Sequence, residues 1–426
     1  MIEFLFISLA LLITAQSLAA LLLTLRAMHY ARTIHTIAQH RYQPRTFVIV
    51  PCKGTAGTID SLGDNVRAVC NQDYRDYEVV FVTESEHDPA YAIIEKAIKN
   101  TKRSAWLITA GESIDEGQKI RNLCIAIDTM NSVDRRAEVV VFADCDFCPS
   151  PDWLAELATS VDGKRVGAAT GFRWFVPNDW SFFSILLSVW NSSALSVLGD
   201  RSSFAWGGSM AMMRSSFDKL GIRKRWQGAL SDDYVLSKAV RESGMRIRYV
   251  PGCLVPTVAA TSFADLFEFT TRQMKITRVY APSVWKFTLV TNLLFSITFW
   301  GSLIWIAANA LATGRVSVLL SSLIGTTFVL GFLNGLLRSR LAAYLLPQHR
   351  ASIRRVELLF ALLSPASSLL YLANLFASLT SRRIAWAGIN YEMVSESETR
   401  IISRPSIPLP IQPWPEKKEQ EAPVRS

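Results

Sequence analysis

Two kinds of apolar pattern divide the chain. Phe4–Leu25 is an uncharged run of 22 residues, and further uncharged runs lie between Lys286 and Arg315, between Arg315 and Arg338, and between Glu357 and Arg382. Runs of this length predict helices that can span a bilayer. The first has Glu3 ahead of it instead of a basic segment and outruns a signal-peptide core, so residues 1–27 read as a retained anchor. The next two are parted by Arg315 alone, which predicts a transmembrane helical hairpin over 287–337. The last, 356–381, is interrupted by Pro365 beside Ser364, Ser367 and Ser368, with Arg382-Arg383 directly behind. A broken helix that enters and returns, or lies along the interface, fits that pattern better than a crossing.

Between the first and second long runs, short apolar runs recur at Thr46–Pro51, Tyr77–Thr83, Ala105–Thr109, Val139–Phe142 and Val166–Val176, with helical stretches between them. This rhythm predicts an α/β domain with a mainly parallel sheet over 44–260. Val139–Phe142 is apolar without a break, as in a strand buried on both faces. Trp180–Gly199 has no charge, but seven of its positions are Ser or Asn. It reads as an amphipathic helix on the membrane or against the domain, because a span there would part Asp144 from Asp233. Phe204–Arg214 reads as a strand entered through Gly207-Gly208, and Leu230–Tyr234 opens a helix that stops before Gly244. Residues 261–286 mix Phe and Leu with Arg272, Lys275, Arg278 and Lys286, as an interfacial helix would. The tail, 400–426, is rich in proline and charge and predicts disorder.

The net charge of +9 follows the membrane pattern. Arg26, Arg32, Arg41 and Arg45 trail the first run without an acidic residue among them, and Arg338, Arg340, Arg350, Arg354 and Arg355 cluster after the third. The positive-inside rule puts both clusters, and the domain between them, on the cytoplasmic side of a multi-pass membrane protein. No RNA-binding or helix-turn-helix signature assigns the charge to nucleic acid, and nothing calls for an obligate protein partner. The six cysteines all fall in the polar region and read as free thiols. Cys145-x-x-Cys148 has no second pair and no histidine nearby, so it does not read as a zinc site.

Candidate chemistry gathers at the carboxyl ends of the strands, where open α/β sheets bind ligands. These ends supply Lys53, then Glu84 and Asp88, then Lys119 with Asn122 on one helix face, then Asp144 and Asp146. Such convergence points to a nucleotide site. Asp144-x-Asp146 could hold Mg²⁺ or Mn²⁺ together with substrate phosphates. The plainer reading makes one of them the cap of a helix starting near Asp152. Ser231 or Asp232 could likewise cap the next helix, but Asp232-Asp233 is one acid more than a cap needs. Gly207-Gly208 would let a ligand approach the backbone.

Together these residues resemble glycosyltransferase family 2 enzymes of the GT-A fold, and among them most of all the ceramide glucosyltransferases, over roughly residues 44–391. Pro51-Cys52-Lys53-Gly54 is similar to the family's PxKG, Glu84…Asp88-Pro89-Ala90 to its acidic uridine-binding loop, and Lys119-Ile120-Arg121-Asn122-Leu123 to its KxxNL. Asp144 and Asp146 fall on its metal motif and Ser231-Asp232-Asp233-Tyr234 on its EDY segment. The (Q/R)xxRW motif falls on Arg272-Gln273-Met274-Lys275-Ile276 without its tryptophan, and WRGxxY on Trp386-Ala387-Gly388-Ile389-Asn390-Tyr391 without its arginine.

The resemblance implies a nucleotide-sugar donor, UDP-linked, held by Pro51, Lys53, Glu84, Asp88, Lys119, Asn122, Asp144 and Arg278. The metal would sit on Asp144 and Asp146. Asp233 would be the general base, supported by Asp232, with Arg272 and Lys275 adding positive charge. A lipid alcohol would meet Trp206, Gly207, Gly208, Trp386 and Tyr391, and inversion would give a β-linked glycolipid. Three alternatives stand beside this: a processive β-glycan synthase, a polyprenyl-phosphate sugar transferase whose acceptor needs no base, and a catalytically silent membrane scaffold.

Overall fold

The computed structural model describes residues 2–35, 42–54, 59–133, 137–177, 180–201 and 204–404. Seven strands form the main sheet: β1 (Thr46–Pro51), β2 (Tyr77–Thr83), β3 (Ala105–Thr109), β4 (Val139–Ala143), β5 (Val166–Pro177), β6 (Ser209–Met213) and β7 (Arg246–Ala259). Their order is β3-β2-β1-β4-β6-β5-β7. Pairings among β1–β4 are all parallel, β6 runs antiparallel to both of its neighbours, and β5 pairs parallel with β7. The strand–helix rhythm of the sequence thus yields the mainly parallel sheet it predicts.

The pleat divides β4 between two cores. Val139, Val141 and Ala143 pack with the Ile59–Cys70, Pro89–Ile98 and Trp153–Ala158 helices. Val140 and Phe142 pack with Gln118–Val133 and Asp232–Glu242 on the other face. Every one of the five is fully buried, which is why the run carries no polar position until Asp144. Asp152, and neither acid of the Asp144 pair, sits at the head of the Trp153–Ala158 helix, so the capping explanation of that pair does not hold. The strand expected over Phe204–Arg214 is shorter: Trp206–Gly208 forms a turn, closed by Ser209 N–H donating to the Trp206 carbonyl at 3.0 Å.

Three helices are long and apolar enough to cross a membrane: Ile2–Ile34 within the N-terminal helix, Pro282–Thr313 and Val318–Leu345. Hydrogen bonds between Thr14 and Thr327 (2.8 Å) and from Thr24 to Asn334 (2.6 Å) tie the N-terminal helix to the last of them. Glu357–Leu363 and Ser367–Thr380 meet at a 55° bend, with Pro365 in the break. Beyond lies a small antiparallel sheet of β8 (Arg383–Trp386), β9 (Ile389–Ser395) and β10 (Glu398–Ser403). Both flanks of the bent pair pack on the same domain. Ile353 and Val356 join Phe172 and Tyr249, while Ile384, Tyr391 and Met393 join Leu230 and Tyr280. That packing matches the expected broken helix that enters and returns, while length and composition would equally allow the pair to form one bent span.

The Phe182–Ser192 helix and the 3₁₀ turn after it are largely buried, with Trp190 stacked on Tyr371 of the bent pair at 5.1 Å between ring centres. The interfacial helix expected over 261–286 runs instead from Phe263 to Tyr280, because Pro282 at a first-turn position starts a new helix. One of its faces is covered: Ile276 and Tyr280 are buried under the small sheet. Residues 400–403 belong to β10, so the expected tail begins later, and 405–426 lie outside the described residues.

Candidate active site

Ends of β4, β5 and the Gln118 and Asp232 helices bring six charged side chains together. Lys119 Nζ lies 2.9 Å from Asp144 Oδ1 and 3.2 Å from Asp232 Oδ1. Arg173, on β5, places Nη2 at 2.6 Å from Asp146 Oδ1 and 3.2 Å from Asp144 Oδ2. Its guanidinium also lies over the Trp206 ring, 5.1 Å from the centroid. Each base lies between two acids, Lys119 between Asp144 and Asp232 and Arg173 between Asp144 and Asp146, and the four acids outnumber the two bases. The Trp206–Gly208 turn closes it, with Asp144 N–H donating to the Gly208 carbonyl at 3.1 Å.

A side chain at Gly207 would put Cβ 2.5 Å from Asp232 Oδ2, and one at Gly208 would put it 2.5 Å from Asp144 Oδ2 and closer still to the Trp206 ring. The two glycines thus make room for the protein's own carboxylates and indole, where the sequence reading gave that room to a ligand.

Burial pushes the Asp144 carboxyl up, but Lys119 and Arg173 outweigh it and hold it below the usual range. At Asp146 burial prevails over Arg173, and its pKa stands above the ordinary value. Lys119 is buried, yet Asp144, Asp232 and Asp233 keep its proton on, raising its pKa. Asp232 is pushed up to about 6 by burial, against Lys119 and with the help of Asp233 and Asp144.

Asp232 and Asp233 have different surroundings. Asp232 is 2% exposed, and its Oδ2 has no hydrogen-bond partner among the described residues. Asp233 is half-buried: Oδ1 accepts from the Ser231 hydroxyl and from Tyr234 N–H (2.7 Å), and Oδ2 accepts from Gly207 N–H at 3.3 Å. Ser231 is the helix N-cap and shares Tyr234 N–H with Asp233 Oδ1, so Asp232 has no part in the cap.

On the neighbouring strand ends, Lys53 pairs with Glu84. Asp88 caps the Pro89–Ile98 helix through Ala90 N–H (2.9 Å) and also accepts from Gly54 N–H (2.9 Å), fixing the loop after Pro51. Asn122 is buried, donating to the Val82 carbonyl at 3.1 Å and accepting from Gln118 Nε2 at 2.9 Å. Both support the site from behind. The sequence reading missed Arg404, which lies 2.9 Å from Glu84 Oε1 and donates to the Ser113 carbonyl at 2.6 Å. It also missed Arg173, although that arginine is the one charge in the β5 run.

A cavity of ≈ 790 Å³ opens beside the charged group. Its polar wall includes Lys119, Asp144, Asp146, Arg173, Asp232 and Asp233, together with Trp206, Gly207 and Gly208. Its far wall is made by the membrane helices, through Leu23, Phe287, Thr291, Phe295, Gly331 and Pro365. Arg272 and Trp386 line it as well, with Arg272 Nη1 donating to the Ala385 carbonyl at 3.2 Å.

Of the expected site residues, Pro51, Lys53, Glu84, Asp88 and Asn122 lie beyond its lining, and so do Lys275, Arg278 and Tyr391. Lys275 donates to the Arg383 carbonyl (2.8 Å) and Arg278 to the Ser378 carbonyl (2.6 Å), so the first fastens the small sheet, the second fastens the end of the bent pair, and neither lines the cavity. Tyr391, on β9, is buried between the small sheet and the main domain, its hydroxyl accepting from Gln118 N–H at 3.2 Å, so it ties the sheet down and does not line the cavity. Ile276, standing where the resemblance has tryptophan, is on the cavity wall.

The sequence matches the family described as Glycosyl transferase family 21 over residues 11–399. A curated relative, "Ceramide glucosyltransferase 1" of Caenorhabditis elegans, is 20% identical over 257 residues, 59% of this chain. The chain spans about half of that relative's length (53%). Among solved structures, it is similar to a mannosyltransferase from Pyrobaculum calidifontis in complex with GDP-Man and Mn²⁺. That likeness has 17% identity and TM-score 0.45, covering 88% of this chain and 98% of the other. It is also similar to GalNAc-T7 with UDP, GalNAc and Mn²⁺, at 14% identity and TM-score 0.38, covering 56% and 48%.

Proposed function

Because the chain belongs to glycosyl transferase family 21, we propose that it transfers a sugar from a nucleotide sugar to a hydroxyl of a membrane lipid, on a GT-A-type domain facing the cytoplasm. A UDP-linked hexose such as UDP-glucose is the donor in this reading and a ceramide-like lipid the acceptor. One observation carries it: a single cavity joins the carboxylate group to the membrane helices. A water-soluble donor and a lipid acceptor can meet there, and a cavity wholly inside the polar domain would give the lipid no approach.

Asp144 and Asp146 fit a divalent metal. Among the described residues no cluster of three or more His, Cys, Asp or Glu is available to enclose an ion, so the protein would offer two carboxylates and leave the other positions to water and diphosphate. Arg173 Nη2 already sits between their oxygens, a point where positive charge is welcome. When bound, Mg²⁺ or Mn²⁺ would neutralise charge on the departing diphosphate.

The chain's own residues do the rest. Lys119 and Arg173 hold Asp144 ionised, Arg173 fixes Asp146 in place, and Arg272, on the cavity wall, adds positive charge beside the diphosphate. Asp233 has its Oδ1 occupied by two donors and its Oδ2 held at 3.3 Å, so Oδ2 has the lone pair that takes the acceptor's proton. Attack from the face opposite the leaving group inverts the anomeric carbon. Glu84, buttressed by Lys53 and Arg404, stands at the nucleoside end.

The test is incubation of membranes holding the full chain with a panel of labelled nucleotide sugars, followed by lipid extraction and anomeric analysis. Label in a β-linked lipid is the expected result. Label only in polysaccharide, or in free sugar, would overturn the reading.

A further inference from the structure

The cavity holds a second polar group away from the carboxylates. Arg338 is the twenty-first residue of the Val318–Leu345 helix, roughly 30 Å along it from Val318 at 1.5 Å per residue. This places it at the end nearest the catalytic domain, at head-group depth if that helix spans. Its Nε donates to Ser196 Oγ at 3.0 Å. Ser196 and Thr24 share a hydrogen bond of 2.9 Å, and Thr24 gives its one proton to Asn334 Oδ1 at 2.6 Å. Ser196 must therefore be the donor to Thr24, and the chain runs one way: Arg338 to Ser196 to Thr24 to Asn334.

Each oxygen in that chain already accepts one hydrogen bond, and each hydroxyl proton is used. Every unused proton belongs to a nitrogen: the two Nη groups of Arg338 and Nδ2 of Asn334 have no hydrogen-bond partner among the described residues. Ser196, Asn334 and Arg338 all line the cavity shared with Asp233. Arg173 and Arg272 have carboxylates within 4 Å, whereas among the described residues Arg338 has none. An ionised group in a membrane protein's interior normally has a partner, and where it lacks one the ligand is the natural source.

We propose that Arg338, with Asn334 beside it, recognises an oxygen acceptor on the lipid substrate next to the reacting hydroxyl, such as an amide carbonyl, and rejects acceptors carrying a positive charge there. This rests on the lipid-acceptor reading above. An N-acylated long-chain amino alcohol offers the carbonyl; the same alcohol with a free amine offers an ammonium to a guanidinium. Arg338 is then a specificity residue, and its effect belongs in acceptor KM and preference.

The experiment uses the full chain in lipid nanodiscs, a labelled nucleotide sugar, and these two acceptors at pH 7. The unaltered protein should prefer the N-acylated acceptor by about 100-fold or more in kcat/KM. Arg338→Gln, which removes the charge, should raise the N-acylated acceptor's KM and cut the preference, each about tenfold, with the donor KM unchanged. Arg338→Lys should keep most of the preference. An undiminished preference in Arg338→Gln with intact donor binding overturns the inference and leaves lipid transfer standing. Should Arg338→Gln lose donor binding as well, Arg338→Lys decides: retained rejection of the free amine supports the inference, and lost rejection overturns it. If the unaltered protein glycosylates neither acceptor nor any other lipid alcohol, the lipid reading falls and this inference with it.

Discussion

Arg173 Nη2 lies 2.6 Å from Asp146 Oδ1, and the same nitrogen is the one that reaches Asp144 at 3.2 Å. A divalent ion arriving without donor must compete with it for those oxygens. With donor present, the guanidinium can turn to phosphate oxygens instead. Arg173→Gln should therefore bind Mn²⁺ about tenfold more tightly in the absence of nucleotide sugar, yet transfer sugar roughly 10²–10³ times more slowly. Asp146→Ala should weaken Mn²⁺ binding and abolish transfer. Paramagnetic resonance titration and initial rates measure the two effects. Unchanged Mn²⁺ affinity in Arg173→Gln would show that the guanidinium and the metal do not share a place.

Asp233→Asn keeps the shape of the proposed base and removes its proton affinity. A kcat loss of about 10²–10⁴-fold with unchanged donor binding is expected. Asp232→Asn should cost less. If it costs more, the two neighbours exchange roles.

Asp232 also makes a prediction about pH. Its folded-state pKa of about 6 stands above the ordinary 3.8, so the folded protein holds an extra proton between those values. The stabilisation from this group is complete below about pH 4 and is lost as pH rises through 6. Thermal unfolding followed from pH 4 to 7 should show that decline in the unaltered protein and a flatter profile in Asp232→Asn. Parallel profiles would refute the assignment.

Ala387 has φ 48° and Gly388 φ 80° in the two-residue turn that joins β8 to β9, where Trp386 pairs with Ile389. Such hairpin turns need positive φ at both central positions, and alanine is strained there. Ala387→Gly should stabilise the protein by about 1 kcal/mol. A lower denaturation midpoint in that variant would count against it.

The bent pair lends itself to a test of sidedness. Cys148 on the catalytic domain and Ser397 in the β9–β10 turn are both exposed. If both face the cytoplasm, Cys148 in the native chain, and a cysteine replacing Ser397 where native thiols are absent, should resist an impermeant thiol reagent until cells are opened. Labelling of Ser397→Cys alone in intact cells would mean that the bent pair crosses.

Legibility in the sequence followed the reach of local pattern. Val139–Phe142 announced a doubly buried strand because both faces of the pleat are apolar, and the acids after it had to lie at that strand's carboxyl end. The three long runs likewise became helices long and apolar enough to span. What depended on packing was harder to see. Arg272 and Lys275 are three residues apart on one helix, yet the small sheet takes Lys275 as a backbone tether and leaves Arg272 on the cavity wall. Gly207 and Gly208 looked like space for a ligand because nothing local said that Asp232 and Asp144 would need it. Arg404 lay in what read as a disordered tail, and only the return of the chain places it on Glu84.

That return orders events in time. Arg404 meets Glu84 across a separation of 320 residues, and the hairpin and the bent pair lie between them in the chain. During synthesis the catalytic sheet emerges from the ribosome first, while Glu84 still lacks one of its two cationic neighbours. The proposed nucleoside end is finished only after every candidate membrane helix has been made and the last strands have come back to dock. A nascent chain stalled before β10 would thus lack the Arg404–Glu84 pair, and on the proposed reading its donor site would stay incomplete until the chain has fully assembled.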